Sequence, residues 1–419
     1  MIIDVRIKNF FSISDEVSLS TRADMRIKRF PDNVSRIAGY DIVKALALYG
    51  PNNAGKTNIL RALLAIVNTL LRKPFAVNRN IFTDDPVCSL GVSFTFEKRI
   101  FSYDMRFSCL NGKFVYEKFA ELSADEYGNE SAHEIFVRDS VRGAYRFNEN
   151  KELSDLLGSV SDDNILIYTA NTAKYPELEE CKRILTGFAE SVTVIDMNEP
   201  PVDLALEIAK NGPADPRSVL MTKLIKSADL EIDDFKYVKR DVTFRSPQPI
   251  RESMYDGAVR AAADLLGLTS VHNGKELPSL SYDSTGTKKM ISAASYIADA
   301  LVRKKTLIID EIDSSLHFKL TRGIVALFDN DVNKYAQLIF TTHDATLLDC
   351  KKLFRKDQIW FAAKENDAVE LYSLADFTAE RNGVRSDSDM IELYKRGVLG
   401  ALPDPDLFSA LADTEVSNE

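Results

Sequence analysis

The chain has 419 residues, 45% hydrophobic and 28% charged, an ordinary globular balance. At roughly 100–200 residues per domain, that length predicts two or three structural units. A formal net charge of −10 argues against bulk adhesion to nucleic acid or an anionic membrane, and leaves room only for a local basic face.

The opening "MIIDVRIKNFFSIS" alternates like a strand and has no signal-peptide core. "VSLST" continues the β pattern. "VKALALYG" is an unbroken apolar run, as in a strand covered on both faces. It leads straight into "GPNNAGKTN". After this, "ILRALLAIVNTLLRK" repeats Ile59, Leu60, Leu63, Leu64, Val67 and Leu71 at helical spacing. Between Leu90 and about Leu122 the period drops to two, and Asn111-Gly112 marks a hairpin, so an antiparallel meander is expected there. "HEIFVRD" and "GAYRFN" extend it. Residues 150–265 read as mixed and mostly helical, with short amphipathic segments and no sustained heptads, which excludes a long coiled-coil arm. The last third returns to α/β: helix "MISAASYIADALVRK", strand "TLIID", helix "KLTRGIVALFD", then strands "QLIFTTH" and "QIWFAA". The pattern predicts a split α/β core with an insertion between its halves. The expected division is an N-terminal lobe over 1–150, a mostly helical insertion over 151–270 and a C-terminal lobe over 271–419.

No apolar run reaches the roughly 18 residues of a membrane span, so no membrane partner is expected. Cys88, Cys109, Cys181 and Cys350 show no paired spacing. They form no cluster with His133, His272, His317 and His343, and neither a disulfide framework nor a zinc module is expected. The expected compartment is the cytoplasm.

Four stretches carry chemistry. "GPNNAGKT", Gly50 to Thr57, fits the phosphate-loop pattern G-x-x-x-x-G-K-[ST] in full, after a buried strand and before a helix. Backbone N–H groups there wrap a phosphate at a positive helix N-terminus. The expected nucleotide-binding positions are Gly50, Asn53, Ala54, Gly55, Lys56 and Thr57, with Asn58 following. Lys56 would reach the β- and γ-phosphates and the Thr57 hydroxyl would bind Mg2+. "TLIIDE" is a buried strand with two acids at its tip. Asp310 is the expected Mg2+ holder and Glu311 the group that orients or deprotonates an attacking water. A strand ending in Asp-Glu is by itself ordinary structure; beside a phosphate loop it becomes the second half of a site. "DSTGTKK" offers Ser284, Gly286 and Lys288 to a phosphate, and equally an N-capping turn for the helix over 287–303. "FTTHD" places His343 directly after a buried strand. Lys56 and Asp310 lie about 250 residues apart. That gap is far wider than in hexameric motors or small kinases and points to an ABC-type P-loop ATPase head.

These motifs resemble the RecF/SMC/OLD-like branch of ABC-type ATPases. The opening "IKNFFSI" looks like its first strand and turn, and "NNAGKT" like its phosphate loop. "DSTGTKK" resembles its signature motif, which the family uses to cap the γ-phosphate held by a partner chain. Leu316-His317 of "DEIDSSLH" stands where transporter ATPases carry leucine-aspartate, which speaks against a transporter subunit. "LIKSADLEIDDFKYV" and "LYKRGVLGALP" are similar to compact prokaryotic phage-defence ATPases related to RloA and AriA. The resemblance implies ATP and Mg2+ as cofactors, and a homodimer or higher even-numbered homo-oligomer closed around ATP. It also implies a separate effector protein, a nuclease or toxin. Only 76 residues follow His343, too few for the nuclease domain of OLD proteins, so any nuclease is expected elsewhere. One departure is the Q-loop: "VNRNIFTDDPVCSL" occupies its place without a glutamine, and Asn78, Asp84 and Asp85 are candidates to substitute for it. The alternative function is a RecF-like clamp on DNA, for which "RIKRF" (26–30) and "KKLFRK" (351–356) are candidate basic contacts.

Overall fold

The computed structural model describes residues 1–124, 129–148, 150–169, 174–228, 230–240, 260–365, 368–385 and 388–403. Residues 241–259 of the expected insertion lie outside the described residues.

Two large sheets organise the chain. The first has six strands in the order Val192–Asp196, Thr306–Asp310, Gln337–Thr341, Ala45–Tyr49, Ile359–Glu365, Ala368–Ser373. The first five run parallel and the last is antiparallel. Residues from both ends of the sequence thus meet in one sheet, as the split pattern predicts. The second sheet is antiparallel and seven-stranded. Its order is Ala144–Phe147, Glu130–Asp139, Lys113–Ala124, Arg99–Ser108, Val87–Phe96, Ile2–Lys8, Val17–Ser20. This is the expected meander with the N-terminal hairpin added at its edge. Cys88 and Cys109 meet within it as free thiols, with sulfurs 3.4 Å apart.

The apolar run 45–49 is fully buried because both faces of its sheet are covered. Leu46 and Leu48 turn, with Ile308 and Ile339, toward the space between the two sheets. Helix Lys56–Leu70 fills that space, packing on strands of both sheets. Ala47 and Tyr49 turn the other way, with Leu307, Ile309 and Phe340, toward helix Phe318–Phe328 and part of helix Thr285–Arg303. A smaller cluster joins helices Asp203–Asn211, Pro216–Lys226 and Thr285–Arg303 to a three-stranded sheet, Asp234–Tyr237, Leu268–His272 and Lys275–Pro278. Helices Pro176–Glu190, Asp203–Asn211 and Pro216–Lys226 lie in the stretch expected to carry short amphipathic helices. "VTVID" does not follow the helical reading: it forms Val192–Asp196 and takes the edge of the core sheet. Its four consecutive β-branched residues suit a strand.

Because the five strands are parallel, their C-terminal ends share one edge. The chain leaves Tyr49, Asp196, Asp310 and Thr341 on that edge, where open parallel sheets hold their ligands. The two basic runs sit by the opposite edge. Arg29 donates to the Cys350 carbonyl, and Arg355 donates to the carbonyls of Ile27 and Arg29 just before strand Ile359–Glu365 begins. Arg355 is buried and ion-paired with Asp357, and Arg26 is paired with Asp24.

Candidate functional site

The phosphate loop is shaped by its glycines. Gly50 has φ 154°, and a Cβ there would lie 2.3 Å from the Ala362 carbonyl oxygen, so only glycine lets the loop leave the sheet. Gly55, at φ 92°, is the left-handed residue that starts helix Lys56–Leu70. No side chain caps that helix, and its first N–H groups remain free for an anion. Asn53 is also left-handed, at φ 67°. Ala54 is buried under the loop, Thr57 and Asn58 are half-buried, and Asn58 donates to the Ser12 hydroxyl at 2.7 Å.

The Lys56 ammonium folds back over the loop, donating to the carbonyls of Gly50 at 2.8 Å and Pro51 at 3.1 Å. Burial pushes its pKa below the ordinary lysine value, and the carboxylates of Asp310, Glu311 and Asp313 pull it back up. Those three acids therefore lie within electrostatic reach of the Lys56 ammonium. The Thr341 hydroxyl, fully buried, accepts from the Glu311 N–H at 2.8 Å and donates to the Asp310 carboxylate. Glu311 itself is left-handed, at φ 53°. Its Oε2 accepts from the Asn198 side chain at 2.9 Å. Asp313 takes a long hydrogen bond of 3.4 Å from the His343 N–H, while its buried Oδ1 has no partner among the described residues. His343 is exposed as a whole. Its imidazole pKa is nevertheless lowered, first by the protein packed around the ring and then by the Lys56 charge, against Asp313, Glu311 and Asp310.

The structure thus brings Gly50–Asn58, Asp310, Glu311 and His343 to one edge. The "DSTGTKK" turn does not join them. Ser284 is exposed and caps helix Thr285–Arg303, accepting from the Thr287 N–H at 3.1 Å. Gly286 packs on the turn after Glu311: a Cβ there would come within 3.2 Å of the Ser315 carbonyl oxygen. Lys288 is half-buried, and it is Lys289, not Lys288, whose ammonium reaches Ser314 at 3.0 Å and Ser315 at 3.4 Å. Of the Q-loop candidates, Asn78, Asp84 and Asp85 are all exposed. Their loop is held by Asn9, which donates to the Asp85 and Val87 carbonyls and accepts from the Asn80 N–H and the Thr83 hydroxyl.

A triphosphate with its cation fits these groups. The helix start is uncapped, Lys56 is spent on carbonyls that a phosphate would replace, and Asp313 carries an orphaned buried oxygen. Among the described residues no three His, Cys, Asp or Glu side chains are placed to hold a metal. A Mg2+ held by Thr57 and Asp310 would therefore complete its shell with phosphate oxygens and water, as that ion commonly does. Sequence reasoning missed Asn198, Thr341, Asp313, Ser314 and Lys289. Asp313 and Ser314 lie within the quoted "DEIDSSLH" and Thr341 within "FTTHD"; Asn198 carried no signal.

A phosphate loop and an acidic strand tip on the shared edge of a split parallel core, with an antiparallel sheet stacked over it, define an ABC-type P-loop head. The chain belongs to the family described as "AAA domain, putative AbiEii toxin, Type IV TA system", which matches residues 46–349. A comparison with curated proteins gives no match. Solved structures similar to the chain include the SMC head domain from Thermotoga maritima, with 12% identity and a TM-score of 0.40 over 89% of this chain and 98% of that one. Another is an SMC head bound to the C-winged helix domain of ScpA, with 12% identity and a TM-score of 0.46 over 89% and 97%. Among the described residues no helix is long and apolar enough to cross a membrane.

Proposed function

We propose that this chain is a cytoplasmic ATP-binding and hydrolysing switch. Two copies close around ATP, and closure governs a separate effector, a nuclease or toxin, in defence against phage. The observation that carries this is the separation of the two phosphate motifs. Lys56, Thr57, Asp310, Glu311 and His343 converge, whereas Ser284 is exposed and Gly286, half-buried, lies against Ser315; among the described residues neither is hydrogen-bonded to any of these groups. A second copy presenting its Ser284 turn completes the site, with the N-terminus of helix Thr285–Arg303 aimed at the γ-phosphate. In this reading Lys56 and the loop N–H groups bind the phosphates, Thr57 and Asp310 hold Mg2+, Glu311 orients and deprotonates water, and His343 senses the γ-phosphate. Mg2+, when bound, neutralises phosphate charge. The three stretches 1–150, 151–270 and 271–419 serve as the working division of the molecule. The family description's mention of a toxin and a type IV toxin–antitoxin system is in keeping with the effector role.

The DNA-clamp alternative needs a basic face near the seam. Its candidate runs lie by the opposite edge, with Arg26 paired and Arg355 buried, which favours the switch. The test mixes two inactive chains, Lys56→Ala and Ser284→Arg. In a 1:1 mixture one of the two seams is intact, so ATP turnover reappears. Recovery of none, together with full turnover by wild-type chain held too dilute to pair, refutes the shared site.

A further inference from the structure

Asn198 lies in no motif, yet it touches the carboxylate at the centre of the site. We infer that Asn198 is a positioning residue for Glu311, held in register by Ser314 and Lys289. The four groups form one continuous chain: Lys289 Nζ to Ser314 Oγ at 3.0 Å, Ser314 Oγ to Asn198 Oδ1 at 2.8 Å, and Asn198 Nδ2 to Glu311 Oε2 at 2.9 Å. Its ends fix the direction of every bond. An ammonium only donates, so the Ser314 oxygen accepts from Lys289 and turns its proton to Asn198. A carboxylate only accepts, so the amide must present Nδ2 to Glu311 and Oδ1 to Ser314. All donors therefore point from the cation to Glu311, an arrangement in which successive bonds reinforce one another.

Asn198 is exposed but not free to wander. Its N–H donates to Asp196 at 2.8 Å, and the preceding Met197 N–H donates to the Asp310 carbonyl at 3.0 Å, tying the segment to the strand that ends in the acids. Among the described residues nothing hydrogen-bonds Glu311 Oε1. One carboxylate oxygen is thus tethered and the other stays available to a water. The inference rests on Glu311 being the base proposed above.

The test separates space-filling from hydrogen-bond direction. Asn198→Asp keeps the shape and removes the donor. It should lower kcat roughly tenfold, the scale of one lost hydrogen bond to a charged group, with KM for ATP little moved. Ser314→Ala and Lys289→Met should act in the same sense, and Ser314→Thr and Lys289→Arg, which keep the donors, should recover most of the loss. A second measurement needs no ATP. In urea unfolding of the nucleotide-free protein, Asn198→Asp should destabilise by setting two carboxylates together, and adding Glu311→Gln should restore stability, because the glutamine amide donates to the new aspartate. Additive losses in that cycle, or a normal kcat for Asn198→Asp, overturn the inference. Undiminished turnover by Glu311→Gln instead overturns the base assignment, whatever the urea cycle shows.

Discussion

Thr341→Val should destabilise the acidic strand tip more than Thr341→Ser does. Thr341 is fully buried, and its hydroxyl takes the Glu311 N–H and gives its proton to Asp310. Valine keeps the volume and removes both bonds. Losing a hydrogen bond to a carboxylate costs about 1.5–3 kcal/mol, and a stranded N–H about 1–3 kcal/mol. Asp310 and Glu311 are only half-buried, so water offsets part of this and about 2–3 kcal/mol remains. At about 2–4 °C per kcal/mol for domains of 150–250 residues, Tm should fall by about 4–12 °C. Serine keeps the hydroxyl and loses one methyl, about 0.8 kcal/mol of apolar burial. The assay is a thermal melt of nucleotide-free protein. If serine proves worse than valine, packing rather than hydrogen bonding holds this corner, and the account of how the acids are aimed is wrong.

Lys56→Ala should reduce ATP affinity to the limit of detection by fluorescent-nucleotide titration, since among the described residues no other ammonium is hydrogen-bonded to the loop; unchanged affinity would remove Lys56 from the site. Glu311→Gln should bind ATP, turn it over at least a hundredfold more slowly, and accumulate as a dimer in size-exclusion chromatography. Asp329→Asn should flatten a pH dependence of stability. Burial pushes the Asp329 carboxyl well above the usual aspartate range, because only Asn33 and Gln358 donate to one oxygen and the other has no partner among the described residues. A raised pKa gives stability that is full below the unfolded value of about 3.9 and lost as pH rises through the folded value. Wild type should therefore melt lower at pH 8 than at pH 5 through this group, and the Asn variant should not; equal slopes in the two proteins would refute it.

The motifs were legible because each is local. Gly50–Thr57 needs only its own loop, and the runs "ALALY" and "TLIID" announce two-sided burial without reference to their neighbours. What the chain hides is pairing between distant segments. Asn198 and Glu311 meet because Val192–Asp196 and Thr306–Asp310 lie side by side and in register, and nothing in "MNEPP" records that. Lys289 was recoverable in principle: at helical spacing it shares a face with Ala293 and Ile297, which pack into the core, whereas Lys288 is turned about 100° away. The basic runs divide in a way composition does not record: Lys28, Arg29, Lys351 and Lys352 are exposed, Arg26 is exposed but paired with Asp24, and Arg355 is buried against Asp357.

In the proposed dimer, the short segment 310–317 would link the two half-sites. Its first residues, Asp310 and Glu311, lie within electrostatic reach of the chain's own Lys56. Its later residues, Ser314 and Ser315, take the Lys289 ammonium, and the Ser315 carbonyl lies against Gly286, so the Ser284 turn rests on the same peptide units. Glu311 and Ser315 are both held left-handed, at φ 53° and 62°, which favours one discrete arrangement of the turn over a continuum. On that reading, a partner's phosphate at Ser284 and a nucleotide at Lys56 would press on opposite ends of one eight-residue segment. Lengthening that turn by a glycine between Ser314 and Ser315 should leave ATP binding to the isolated chain intact and abolish turnover by the pair. If turnover survives the insertion, the two ends work independently and the coupling runs elsewhere.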